Sequence, residues 1–186
     1  MRIYTKRGDD GTTGLLYGGR VRKDHPLPDA YGDADEAVAA IGLARSLGPR
    51  SEGLDTLLLD LQRQLFVLGA ELATLPENAS KLKAGISKVT GEMVKNLEES
   101  IDRLTEQAPL PEFFVVPGAS AVSAALDLAR CVVRRCERSM VTLAGQGLLA
   151  DPVVLSYVNR LSDLLFVAAR YEEHARGINA PPSREL

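Results

Sequence analysis

Histidine and cysteine are scarce in this chain of 186 residues: there are two of each, His25 and His174, Cys131 and Cys136. No HExxH, ExxH or CxxC spacing occurs, which argues against a metal held by protein side chains. The cysteines lie five positions apart, about 140° of rotation on a helix, so they face different ways and do not suit a disulfide. Both read as reduced thiols of a cytosolic protein or of an organelle with a reducing interior. The N-terminus lacks an apolar h-region, so no secretory signal is expected. The most apolar late run, VVLSYVNRLSDLLFVAA, is broken by Asn159, Arg160 and Asp163 and makes a poor membrane span. A net charge of −3 argues against generic nucleic-acid binding, which needs a basic face. No alternating segment is long enough to imply a sheet.

What is present is helical patterning. With 45% apolar and 25% charged residues, the chain reads as one soluble domain, long enough to bury roughly 70% of its unfolded surface. Pro26 and Pro28 mark a linker after the opening. Segment 33–48 starts with Asp33 and has Glu36 three residues later, a spacing like that of a capping box. Segment 54–75 places Leu54, Leu58, Leu61, Leu65, Leu68, Leu72 and Leu75 at alternating steps of four and three. Segment 89–106 repeats the stripe from Val89 to Leu104, and segment 120–145 carries it less regularly from Val122 to Leu143. The last helix opens at Asp151-Pro152, an N-cap followed by proline at the first helical position. Near-heptad spacing with short loops predicts an all-α, up-and-down bundle of four to five helices. Breaks containing proline and glycine disfavour one long coiled coil.

The opening, TKRGDDGTTG, has too little apolar surface to form core. Arg2, Lys6, Arg7, Arg20, Arg22 and Lys23 outnumber Asp9, Asp10 and Asp24, so this end is locally basic. Glycines at 8, 11 and 14 imply positive φ or close approach of the backbone to a partner. The stretch is not a Walker A loop, since no Gly-Lys-Ser/Thr closes it. Exposed amides, threonine hydroxyls, Lys6 and Lys23 could nonetheless cradle a triphosphate.

Within ALDLARCVVRRCERSM, Asp127, Arg130, Arg134 and Arg138 share one helical face, with Glu137 one turn from Arg134. Such a face is ordinarily a solvated one with i,i+4 pairs; it is also what a polyanion grip requires. Asn159 and Asp163 share a face of the last helix, a pattern that also serves helix–helix hydrogen bonding.

Six motifs stand in order between about residues 2 and 175: YTKRGDDGTTGLL, RVRKD, YGDADEAVAAIG, FVVPGAS, ARCVVRRCERSMV and YVNRLSDLLFVAAR. Together they resemble the PduO-type ATP:cob(I)alamin adenosyltransferases. The resemblance implies a nucleotide-wrapping loop at 1–28, a bundle at 29–175 and a flexible tail at 176–186. It assigns ATP to Thr5, Lys6, Arg7, Gly8, Thr13, Gly14 and Lys23 of the loop, to Arg134, Arg135, Glu137 and Arg138, and to Asn159. Phe114 is implied to pack on the corrin ring; of two adjacent loop aromatics one usually packs into the core, and Phe113 is expected there. Asp35 is implied to pair with Arg130 across a subunit boundary of a homotrimer, and Arg134, Phe114, Arg130 and Asp35 are the implied catalytic set. Mg²⁺ would ride on the ATP phosphates, and cob(I)alamin would be the second substrate. A corrinoid reductase and an adenosylcobalamin-dependent mutase are implied as partners, in the cytoplasm, with neither nucleic acid nor membrane. The chain departs from the family pattern at Ala119 (PGA for PGG) and Cys136 (RRCER for RRAER). An ATP-dependent phosphotransferase and a non-catalytic corrinoid carrier are the competing readings; a ferritin-like bundle is disfavoured by the missing ExxH pairs.

Overall fold

The computed structural model describes residues 3–184. Arg2 of the basic opening lies outside them, as do the last two residues of the expected tail. A short antiparallel hairpin, β1 (Thr12–Gly14) and β2 (Arg20–Arg22), precedes five helices: α1 (Pro26–Ser46), α2 (Leu54–Leu72), α3 (Gly91–Gln107), α4 (Ala121–Gly145) and α5 (Val153–Ala175). The helices alternate in direction along the chain. Helix α1 packs on α2 and α4, α4 on α5, and α5 on α3.

The leucine stripe from Leu54 to Leu72 is buried throughout and meets alanines of α1 and apolar residues of α4 and α5 in one core. Two helix starts differ from the sequence expectation. Helix α1 begins at Pro26, inside the expected linker, with the His25 imidazole accepting from the Leu27 amide. Both prolines fall in the first turn, where a missing N–H breaks no helical bond. Asp33 is therefore mid-helix rather than a cap; its carboxylate accepts from Arg135 Nε (3.0 Å) and Ser139 Oγ (2.6 Å) of α4. The second is α5, which starts at Val153 with Pro152 itself at the N-cap rather than at the first helical position; the Asp151 carboxylate, one residue earlier, still accepts from the Val153 amide. Ser120 caps α4, reciprocating with Ser123.

The up-and-down order creates two ends. One carries the hairpin, the end of α4 and the start of α5. The other carries the 108–120 loop, the start of α4 and the end of α5. At this second end the Val116 amide donates to the Pro181 carbonyl (2.8 Å) and the Ser183 amide to the Phe114 carbonyl (2.7 Å). The segment expected as a tail thus pairs with the loop that carries Phe114.

Candidate active site

At the hairpin end the opening loop is tied by its own side chains. The Asp10 carboxylate accepts from the Thr12 amide (3.0 Å) and hydroxyl (2.7 Å), which holds it below the usual carboxylate range. Arg20, which the sequence reading placed only among the basic residues, donates from Nη2 to the Arg7 carbonyl and to Thr12 Oγ1, each at 2.5 Å. The Lys23 amide donates to the Gly11 carbonyl at 2.9 Å, and a β-carbon on Gly8 would lie 3.4 Å from Lys23 Nζ. The structure thereby brings Arg7, Gly8, Thr12 and Lys23 together.

Of the three loop glycines, Gly11 alone has positive φ (80°); Gly8 is close-packed, its added β-carbon 3.1 Å from the Thr12 carbonyl, and Gly14 sits in ordinary strand conformation. Lys6 adopts φ 60° without being glycine, a conformation costing about 1 kcal/mol or more that surrounding structure must support. Thr5 accepts weakly from the Arg7 amide (3.5 Å), and Thr13 pairs with Val21 in the hairpin. The far turn of the hairpin is docked on the bundle by the Leu16 amide, which donates to the Ala73 carbonyl at 2.8 Å.

Along α4 the arginines divide sharply. The Arg134 side chain makes no hydrogen bond or ion pair among the described residues. Arg138 donates only to the Arg134 carbonyl (2.9 Å). Arg135, expected on the nucleotide, pairs here with Asp33 and Glu36 of α1. One position further along a helix is about 100° further around it, which turns Arg135 away from its neighbour's face. Both carboxylates keep its guanidinium charged. Glu137 and Asn159, both expected at the site, meet each other: Asn159 Nδ2 donates to Glu137 Oε1 at 3.1 Å.

Toward the second end, α3, α4 and α5 enclose a cavity of about 670 Å³ whose wall includes Arg130, Arg134, Arg160, Asp163 and Phe166. An adjoining cavity of about 520 Å³ shares Arg130 and Phe166 and is closed by Phe113, Phe114, Val115 and Pro117. Phe114 is 87% exposed, and Phe113, expected in the core, is 43% exposed. Both rings line the cavity, on a loop held at its backbone by the C-terminal segment; Phe113 is partly packed and Phe114 is not. Phe166 was not singled out from the sequence. It lies seven residues after Asn159 and three after Asp163, on the face those two define, and that spacing is the signal that could have found it.

Asp35 is exposed on α1, and Arg130 lies 3.5 Å from Asp127 of its own helix; among the described residues of one chain Asp35 and Arg130 form no ion pair. The two departures are accommodated. Ala119 is not among the positive-φ residues, so its β-carbon meets no backbone strain. Cys136 is buried against the Ala30 carbonyl, and burial pushes its thiol up to about 12, so it is no nucleophile.

The chemistry of this arrangement is specific. A string of unneutralised guanidinium groups, Arg134 and Arg138, leads from the hairpin end into a cleft walled by aromatic rings. Arg130 and Arg138 are about 12 Å apart along the axis at 1.5 Å per residue, enough for a polyphosphate at one end and a large planar apolar group at the other.

The family model for cobalamin adenosyltransferase matches residues 3–172. The corrinoid adenosyltransferase of Citrobacter freundii is 42% identical over 173 residues, covering 92% of this chain and 95% of that protein. The corrinoid adenosyltransferase of Bacillus subtilis is 41% identical over 181 residues, covering 96% and 90%. Among solved structures, a variant PduO-type ATP:corrinoid adenosyltransferase from Lactobacillus reuteri, complexed with cobalamin and ATP, superposes with a TM-score of 0.89. It is 32% identical and covers 98% of this chain and 97% of its own. Motif order, helical architecture, the two-ended cleft and these likenesses agree: the chain belongs to the cobalamin adenosyltransferase family.

Proposed function

We propose that the protein transfers the 5′-deoxyadenosyl group of ATP to the cobalt of cob(I)alamin, giving adenosylcobalamin and triphosphate. In this reading the cobalt electron pair forms the bond to C5′, the C5′–O bond breaks, and triphosphate leaves with that bond's electrons. No proton moves, so no general base is required.

The observation that carries the reading is the contrast along α4. Arg134 and Arg138 are free of carboxylates while Arg135 is fully engaged. Guanidinium groups left unpaired beside a cavity serve to bind phosphate oxygens and to stabilise charge on the departing triphosphate. Thr5, Lys6, Arg7, Gly8, Thr13, Gly14 and Lys23 wrap the nucleotide, with Glu137 and Asn159 fixing its position from the helices. Among the described residues no cluster of three or more carboxylates, histidines or cysteines could hold a metal ion. In this reading Mg²⁺ rides on the ATP phosphates, where it offsets charge. Phe114 and Phe166 present apolar faces to the corrin, align it with C5′ and keep water from reduced cobalt.

Exposed Asp35 and half-buried Arg130 fit a pair formed between subunits, in a homotrimer whose active sites lie at the boundaries. The same reading places the protein in the cytoplasm, with a corrinoid reductase before it and an adenosylcobalamin-dependent mutase after it. No helix among the described residues is long and apolar enough to cross a membrane. Incubating the protein with ATP, Mg²⁺ and chemically reduced cobalamin, then identifying the phosphate product, tests the proposal: triphosphate supports it, and ADP would establish phosphoryl transfer instead.

A further inference from the structure

Beneath the cleft four charged side chains of alternating sign follow one another: Glu173, Arg170, Asp127 and Arg130. Glu173, Arg170 and Asp127 are 2%, 5% and 3% exposed. Arg170 Nη2 donates to Asp127 Oδ2 at 2.7 Å and to Glu173 Oε1 at 2.9 Å. The guanidinium carbon also lies 5.1 Å from the centre of the Phe166 ring. The second oxygen of Asp127 is 3.5 Å from Arg130 Nε, a buried nitrogen with no hydrogen bond of its own.

Stability does not explain this arrangement. Buried ion pairs are commonly no better than apolar residues of similar volume, because desolvation offsets their attraction. Nor is Arg170 fully satisfied, since its Nη1 has no partner. What the string achieves is placement. Arg170 holds the carboxylate that stands behind Arg130 and stacks on Phe166, and those two side chains wall both cavities of the cleft.

We propose that Asp127 and Arg170 are positioning residues for the corrin side of adenosyl transfer, acting through Arg130 and Phe166. The inference rests on the adenosyl-transfer reading above. With Arg170 anchoring one oxygen of Asp127, the other faces Arg130 at a fixed distance and limits where that guanidinium can turn. The stack on the buried guanidinium keeps the Phe166 ring standing as a wall against the corrin. None of this touches the triphosphate grip, so the two substrates should respond differently.

The test uses full-length Asp127→Asn and Arg170→Lys variants. Asparagine keeps the volume and can still accept from Arg170, while removing the charge behind Arg130. Lysine keeps the charge and loses the planar group over Phe166. Each is expected to raise the cobalamin KM about tenfold, because a displaced wall misplaces the corrin, and to leave the ATP KM within about twofold. Each should also weaken the spectral signature of four-coordinate cob(II)alamin bound with ATP. If Arg170→Lys does not fold, Asp127→Asn decides. A lowered melting temperature with both KM values and the cob(II)alamin spectrum unchanged would make the string purely structural and overturn the proposal, as would an equal rise in both KM values. Wild-type protein that forms no adenosylcobalamin would overturn the activity itself and this inference with it, whereas an active wild type with unchanged variants would overturn this inference alone.

Discussion

Replacing Arg134 by alanine should leave the fold intact and nearly abolish turnover; replacing Arg135, its neighbour in the chain, should do nearly the reverse. Arg134 contacts no carboxylate, so its removal breaks nothing in the folded chain, and stability should change by less than about 0.5 kcal/mol. On the proposed function, its role lies on the leaving triphosphate. Loss of one preorganised charge contact of that kind costs about 10²–10³-fold in rate, or roughly 3–4 kcal/mol of barrier. Arg135 instead holds Asp33, whose side chain is 16% exposed, and Glu36, at 55%. Because the arginine is itself 43% exposed, the two pairs should be valued near the surface range, about 1 kcal/mol together. For a chain of this size that is a fall of about 2–4 °C in melting temperature. Calorimetric unfolding, paired with absorbance-monitored cobalamin alkylation at saturating ATP, separates the two effects. An Arg134→Ala variant that loses as much melting temperature as Arg135→Ala while retaining wild-type turnover would refute this division of roles.

Phe114→Ala should cost almost no stability, since the ring is 87% exposed, and should still alkylate pre-reduced cob(I)alamin while losing the four-coordinate cob(II)alamin spectrum. Phe113→Ala, about half as buried as a core phenylalanine, should cost roughly 1.5–2.5 kcal/mol in chemical denaturation and keep that spectrum; a reversal of the two spectra would reassign the roles. Reversing the charge of Asp35 or Arg130 alone should weaken trimers or corrin binding, and the double reversal should recover part of the loss; sedimentation showing equal loss in all three would mean the two never touch. For Glu172, burial pushes the carboxyl up, but bonds from the Ser51 hydroxyl, the Arg50 and Ser51 amides and Arg176 outweigh it and set it below its usual 4.5. Its stabilisation is therefore full above about pH 4.5 and fades as pH falls through the lower folded value, and Glu172→Gln should cost about 1.5–3 kcal/mol at pH 7. Denaturation midpoints for the variant that match wild type at pH 7 would refute this.

The helices were legible wherever one face is apolar at a steady spacing. The stripe from Leu54 to Leu72 is the plainest case, and its stop before Leu75 marks where the 3₁₀ turn at Pro76–Lys81 takes over. The start of α1 was not legible. Proline in a first turn and proline in a linker look alike, and an aspartate followed by glutamate three residues later reads as a cap even when both carboxylates serve a neighbouring helix. Nor was the hairpin, whose strands are three residues each, too short for alternation to show; Arg20, Asp10 and the Gly18-Gly19 turn hold it instead. The arginine face of α4 was visible as periodicity, but which arginine is free depends on what α1 offers across the interface. Arg170 and Asp127 were the least legible, because a buried ion pair is made by two segments distant in sequence. The pairing of Pro181–Ser183 with the Phe114 loop likewise joins distant segments.

The central claim, adenosyl transfer from ATP to reduced cobalt, is tested most directly by one spectrum. Cobalamin reduced to cob(I)alamin, mixed anaerobically with the protein, ATP and Mg²⁺, should lose its cob(I)alamin absorbance and gain that of light-sensitive adenosylcobalamin, with one triphosphate released per cobalamin. A cob(I)alamin spectrum that persists in the presence of folded, ATP-bound protein would contradict the account.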